Sequence, residues 1–245
     1  MKTNNTGQFG SALAAGVATA GASLLAFYAF AVRPWHLRWG ANEAETKERL
    51  PGDDLVASPK GAATHAITIN APVADVWAWV IQIGQNRAGF YSYSWLENLF
   101  GCQLRNADRI VPEYQHLRVG DTVRLHPSVP PLPVVICEPN EALVLGSNLG
   151  HPGTWGFFLK ELDETRTRLI IRGRERWRAS LLYWLYYRAL FEPVHFVMER
   201  RMLLGIKQRA EKSARSRAAN VADRKMRKTH GATARAVSKR WTAFP

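Results

Sequence analysis

The sequence predicts an α+β protein in which a curved antiparallel sheet wraps around a long C-terminal helix, preceded by one N-terminal transmembrane helix. Three observations carry that expectation. Gly10 to Val32 runs without a charged residue. Between Asp121 and Trp177 apolar residues recur with a period of two, which marks strands. After Ser180 the pattern turns helical and holds to about Ser213.

The uncharged segment reads GSALAAGVATAGASLLAFYAFAV. A helix of that length crosses a hydrocarbon core of roughly 30 Å at 1.5 Å per residue. Arg33, Trp35, Arg38 and Trp39 follow at once, as expected of a chain leaving through the headgroups. A cleaved signal peptide is the rival reading, with Ala29-Phe30-Ala31 as its small-x-small site. The length of the stretch, and charge lying mainly after it, point to an anchor. Lys2 precedes the span, whereas Arg33, Arg38, Lys47 and Arg49 follow it. The positive-inside tendency therefore places the following domain in the cytoplasm. Residues 1–9 form a short tail, 10–32 the span, and 33–63 a linker whose polar stretch Glu43–Lys60, with Pro51-Gly52 and Pro59, lies over the surface. Residues 64–212 form one domain, long enough to bury a real core.

Within that domain Ala66–Ile69 is a short strand. Asn70 then serves as an N-cap, with Pro72 in the first turn. Val73, Val76, Trp77, Val80 and Ile81 share one helical stripe, which ends at Gly84. A second helix covers Ser94–Phe100 and closes at Gly101. Strands follow at Asp121–His126, Val134–Glu138, Ala142–Ser147, Thr154–Leu162 and Arg166–Trp177. In the last, Arg168, Arg172, Arg174 and Arg176 alternate with Leu169, Ile171, Gly173 and Glu175, as in a strand with one wet face. Pro193 breaks or bends the long helix that begins after Ser180. Leu181–Tyr187 is expected to pack in the core, with the bilayer interface as the alternative.

The charge is unevenly placed. Arg200–Pro245 holds 14 lysines and arginines against Glu211 and Asp223, a net +12 of the chain's +13. The domain is thus nearly neutral, and residues 213–245 form a basic tail expected to be disordered. With an anchor present, anionic lipid is a nearer polyanion for this tail than nucleic acid. Cys102 and Cys137 belong to no CxxC pair, and the seven histidines show no HxH or HxxxH spacing. Neither a disulfide framework, a metal site nor a cofactor motif is indicated.

Several stretches resemble the SRPBCC superfamily, the START-like and polyketide cyclase/dehydrase-like helix-grip proteins, and more narrowly a bacterial membrane-anchored subgroup. They are RPWHLRWGA at Arg33–Ala41, LPGDDLV at Leu50–Val56, GFYSYSWLENLFG at Gly89–Gly101, ADRIVPEYQ at Ala107–Gln115, VGDTVRL at Val119–Leu125 and HFVMERRMLLGIK at His195–Lys207. The resemblance covers roughly Arg33 to Ala210. It implies a cavity between sheet and helix for a hydrophobic ligand, and a single-pass protein of a bacterial-type inner membrane. It carries over no catalytic residue.

Candidate ligand-binding residues follow from these elements. Tyr91, Tyr93 and Trp95, with Glu97, lie where the first helices meet the sheet, and flat rings with polar handles suit an amphipathic molecule. Plain packing of those rings is the competing reading. Trp155, Phe157 and Leu159 share one strand face, and Ile171, Gly173 and Glu175 share the neighbouring one. A carboxylate on an apolar face needs a partner or a raised pKa, which singles out Glu175. His195 shares a helical stripe with Phe191, Met198 and Met202, so His195 and Met198 approach the same space, and His195 with Glu175 would make an acid–base couple; a satisfied core histidine is the more common role for such a residue. The expected function is membrane-anchored binding of a hydrophobic or lipid-like small molecule. The alternatives are a cyclase- or dehydratase-like enzyme using Glu97, Glu175 or His195, and a polyanion-binding protein acting through its tail.

Overall fold

The computed structural model describes residue 16 and residues 19–148, 152–177 and 179–241, with residues 147, 148 and 221–241 described by backbone alone. Six strands form one antiparallel sheet: β1 (Gly61–Ile69), β2 (Thr122–Val123), β3 (Leu132–Glu138), β4 (Ala142–Asn148), β5 (Pro152–Asp163) and β6 (Arg166–Glu175). Their order across the sheet is β1-β6-β5-β4-β3-β2. Helices α1 (Val73–Val80) and α2 (Ser94–Leu99) lie between β1 and β2 in the chain, and α3 (Leu181–Tyr186) and α4 (Glu192–Trp241) follow the sheet. This is the helix-grip arrangement.

The period-two stretches became strands close to where their alternation lies. β1 begins at Gly61, earlier than expected, because Gly61-Ala62-Ala63 has no alternation to mark it. Its pairing runs from Gly61 opposite Glu175 to Ile69 opposite Thr167. The expected strand Asp121–His126 pairs only at Thr122–Val123. The N-cap of α1 is Pro72 rather than Asn70. The backbone N–H of Asn70 instead donates to Glu211 on α4 at 2.9 Å.

One face of the sheet meets the helices. Ile69, Leu143, Leu145, Phe157, Leu169 and Ile171 are buried there with Val76 and Val80 of α1 and Met202, Leu203 and Ile206 of α4. Gly205 lets α4 approach closely, since a Cβ there would stand 2.3 Å from the Tyr91 carbonyl oxygen.

The opposite face is not wet, as the alternating arginines led us to expect. Residues 43–56 cover it. Helix Glu43–Lys47 is closed by a capping box between Asn42 and Glu45, and Leu50 joins Val144, Phe158 and Ile170 in a second core. Arg168 pairs with Glu45 at 2.7 Å and Arg172 with Asp53 at 2.7 Å. Arg172 also donates to the carbonyls of Glu45 and Glu48. A buried guanidinium has to be matched in this way, and the acids that match it come from the segment read as a linker.

Two further expectations change at the chain's ends. Before α4 the helix passes through a π turn, Tyr187–Phe191. Pro193 lacks the N–H and its ring crowds the preceding turn, so the ladder widens by one residue rather than breaking. α4 then continues to Trp241, through much of the tail expected to be disordered. The last residues, 242–245, lie outside the described residues. Of the expected span Gly10–Val32, residue 16 and residues 19–32 are described and are helical. The tail 1–9 and residues 10–15, 17 and 18 lie outside the described residues. Among the described residues no helix is long and apolar enough to cross a membrane.

A buried carboxylate joins these layers. Glu199 of α4 meets His65 Nδ1 of β1 at 2.5 Å and accepts from Trp155 Nε1 of β5 at 2.7 Å. His65 Nε2 stands 2.7 Å from the carbonyl oxygen of His36. Both ring nitrogens of His65 thus face acceptors, which the imidazolium satisfies by donating twice. Burial opposes that charge, but Glu199 outweighs it and raises the His65 pKa. Removing one member of such a pair leaves the other charge buried and alone. Glu199→Gln should therefore cost roughly 3–5 kcal/mol, read from urea unfolding. A change of a few tenths would show that the pair does not hold helix to sheet.

Candidate functional site

Between the concave sheet face, α2, α3 and the start of α4 lies a cavity of about 600 Å³. β5 contributes Trp155, β6 contributes Gly173 and Glu175, and α2 contributes Glu97. The loop before α2 adds Phe90 and Ser92, and Leu125, Val129 and Leu132 close the far wall. From the other side come Tyr183 and Tyr186 of α3, Phe191 of the π turn, and His195, Met198, Glu199 and Met202 of α4. A mostly apolar cavity with a few converging polar groups is the usual form of a small-molecule site.

Six of the twelve residues singled out in the sequence meet on this wall: Glu97, Trp155, Gly173, Glu175, His195 and Met198. The other six do not. Phe157, Leu159 and Ile171 have the expected facing but lie in the closed core. Tyr91 turns away through a left-handed backbone, φ 58°. Its hydroxyl donates to the Trp79 carbonyl and accepts from Gln82. Tyr93 lies under the guanidinium of Arg201, and Trp95 is 68% exposed.

The polar groups of the wall differ in how they are matched. His195 does not pair with Glu175. Its Nε2 stands 3.6 Å from Glu199, and its ring stacks on Phe191. Burial alone would raise the Glu199 pKa, but His65 first and then His195 hold it well below the usual carboxylate range. Neither Glu199 nor His65 is among the site residues that the sequence singles out. The i,i+4 spacing of His195 and Glu199 was a usable signal; nothing local marks His65.

Glu97 and Glu175 are in the opposite condition. Burial pushes the Glu97 carboxyl up to about 7. Its Oε2 is shut off from solvent with no hydrogen-bond partner. Burial and then the charge of Glu192 push Glu175 up to about 7. Gly173 leaves room beside Glu175, since a Cβ there meets nothing within 4 Å. The site can thus hold an apolar body and offer it two carboxyls that gain or lose a proton near neutrality.

No protein-family model matches the sequence, and no curated protein does. Solved structures resemble it distantly. A protein of Mesorhizobium loti is 14% identical, with 62% of this chain and 98% of that one covered at a TM-score of 0.37. A polyketide-cyclase-like protein of Corynebacterium glutamicum is 16% identical, with coverages of 60% and 88% and a TM-score of 0.32. A point mutant of norcoclaurine synthase from Thalictrum flavum, bound to a transition-state analogue, is 12% identical, with coverages of 62% and 95% and a TM-score of 0.36. Likeness at this level carries no argument about chemistry. The chain's own topology defines the class: a helix-grip α+β protein with a cavity under its long helix.

The Glu97 carboxyl gives a pH test. Its pKa is about 7 in the fold against an ordinary 4.5. A group raised in this way contributes stability that is full below the unfolded value and is lost as pH rises through the folded one. Glu97→Gln keeps the shape and cannot ionise. At about pH 8 it should stabilise the protein by roughly 1–3 kcal/mol, and at about pH 4 it should change little. Thermal unfolding at both pH values checks this; an equal effect at both would contradict the buried, unmatched carboxyl.

Proposed function

We propose that the protein binds a hydrophobic or amphipathic small molecule in the cavity beneath α4, beside a membrane to which its N-terminal helix attaches it. The observation that carries the binding reading is the cavity itself. It is lined by Trp155, Phe191, Met198 and Met202 and left open by Gly173, where any larger side chain would occupy it.

The membrane half rests on a different observation. Leu181 and Leu182 of α3 are 72% and 79% exposed, so α3 does not pack in the core as expected. Phe27, Phe30 and Trp35 of the N-terminal helix are exposed as well. The two segments are tied together: the Tyr28 hydroxyl donates to the Arg188 carbonyl at 3.3 Å, and Arg33 pairs with Glu192 at 2.8 Å. Apolar and aromatic side chains held outward, with arginines alongside, suit the interface of a bilayer. Tyr183 and Tyr186 of that same segment line the cavity, so a molecule dissolved in the membrane has a short path to it. In this reading the chain is a single-pass protein of a bacterial-type inner membrane with its domain on the cytoplasmic side.

Gly173→Leu tests the first half. It should reduce uptake of the neutral dye N-phenyl-1-naphthylamine by about tenfold or more while the domain stays folded, since overpacking costs only about 1–3 kcal/mol. Undiminished uptake by a folded variant would move the ligand elsewhere. For the second half, the full chain should stay with membranes through carbonate extraction. Its release into the soluble fraction would remove the anchor.

A further inference from the structure

The wall of the cavity carries three acidic groups and, among the described residues, almost nothing to balance them. Glu97, Glu175 and Glu199 stand on it, and no lysine or arginine does among the described residues. Among the described residues the one basic group on the wall is His195, held toward Glu199. Glu199 is already answered by His65 and Trp155. Glu97 and Glu175 have no ion-pair partner among the described residues; Glu97 Oε2 is sealed into the wall without a hydrogen bond, so Oε1 is the oxygen that Glu97 turns to the cavity. Leaving a buried acceptor unmatched costs roughly 1–3 kcal/mol. Glu97 is 7% exposed, so bulk water does not readily make good the loss.

A ligand placed here must supply what the protein withholds: hydrogen-bond donors and positive charge. A carboxylate or phosphate would meet three carboxyls, and like charges in a low-dielectric space repel. A neutral hydroxyl supplies one donor and no charge. A protonated amine supplies both, and the faces of Trp155, Tyr183 and Tyr186 around it attract a cation. Charge-assisted hydrogen bonds are about twice as strong as neutral ones.

We propose that the cavity takes a lipophilic amine: an apolar or aromatic body bearing a basic nitrogen, whose ammonium group is received by Glu97, with Glu175 as the second negative group. This rests on the reading of the cavity as a small-molecule site and names its ligand class. The near-neutral ionisation of the two carboxyls gives a pH signature. In the empty cavity each holds its proton up to about 7. An ammonium ion favours their ionised form, so binding releases protons and strengthens as pH rises. The groups facing them do not reverse that sign. Glu97 faces the thiol of Cys102, which is held in its neutral form. Glu175 faces Tyr183 and Tyr187, both neutral, and Glu192, whose charge Arg33 answers.

The test uses three probes of one shape and different charge: 4-phenylbutylamine, 4-phenylbutanol and 4-phenylbutyrate. Each displaces N-phenyl-1-naphthylamine from the full chain in phosphatidylcholine nanodiscs, with empty nanodiscs as background. At about pH 8 the amine should act at a concentration about tenfold or more below that of the alcohol, with the butyrate weakest. At about pH 6 the amine's advantage should shrink several-fold as the carboxyls take up protons. In Glu97→Gln, and more weakly in Glu175→Gln, the ratio of amine to alcohol should fall toward one. Butyrate or alcohol matching the amine, or an amine advantage kept in both variants, would overturn the ligand class while leaving the cavity reading intact. Failure of the dye to bind at all would overturn both.

Discussion

A carboxylate sealed from water has to be answered from every side, and Glu199 is answered by three parts of the chain. His65 brings β1, Trp155 brings β5, and His36, through the far side of the His65 ring, brings the segment that enters the domain. Hydrophobic contact between α4 and the sheet would tolerate sliding, because it is non-directional. A charged hydrogen-bonded joint does not. It sets how far along the sheet the helix sits, and therefore where Phe191, His195 and Met198 stand relative to Trp155. The cavity is the space left once that position is fixed.

The same logic operates on the other side of the sheet. Arg168 and Arg172 project from β6 into a layer that would be solvent in a simple two-layer domain, and residues 43–56 bring Glu45 and Asp53 to them. Polar pairing therefore fastens both faces of the sheet, at β1 and β5 on the inner one and at β6 on the outer one. The contrast with the cavity is informative. Glu45, Asp53 and Glu199 have their partners, and Glu97 and Glu175 do not. The other buried carboxylates, Glu45, Asp75, Glu192 and Glu199, all have ion-pair partners, whereas the two carboxyls without one among the described residues share a single hollow.

Legibility in the sequence followed the range of the interactions. Strands β3 to β6 and helix α1 were readable because their facing is decided by neighbours two to four residues away. The covered face of β6 was misread, since an arginine row looks the same whether its acids are in solvent or 120 residues earlier. Parity placed Phe157, Leu159 and Ile171 correctly on the inner face, yet parity gives a side chain's face and not its depth. Those three are core, whereas Trp155, Gly173 and Glu175 at the open end reach the cavity. Glu175 was visible as a carboxylate out of place. The couple expected between it and His195 does not form, because a partner one helical turn away, Glu199, is already available to that ring. His65 had no local signal, and neither did the outward turn of Leu181 and Leu182, which depends on how α3 leaves the sheet.

The π turn at Tyr187–Phe191 has a directional consequence. A regular α-helix advances about 100° per residue, so its faces are locked in phase along its whole length. One inserted residue resets that phase. Upstream of the turn, the helix can aim leucines outward and tyrosines inward; downstream, it can aim His195, Met198 and Glu199 at the same hollow on an independent setting. The turn works as a coupling between two shafts cut to different angles, letting one continuous rod serve an outer surface at one end and an inner one at the other.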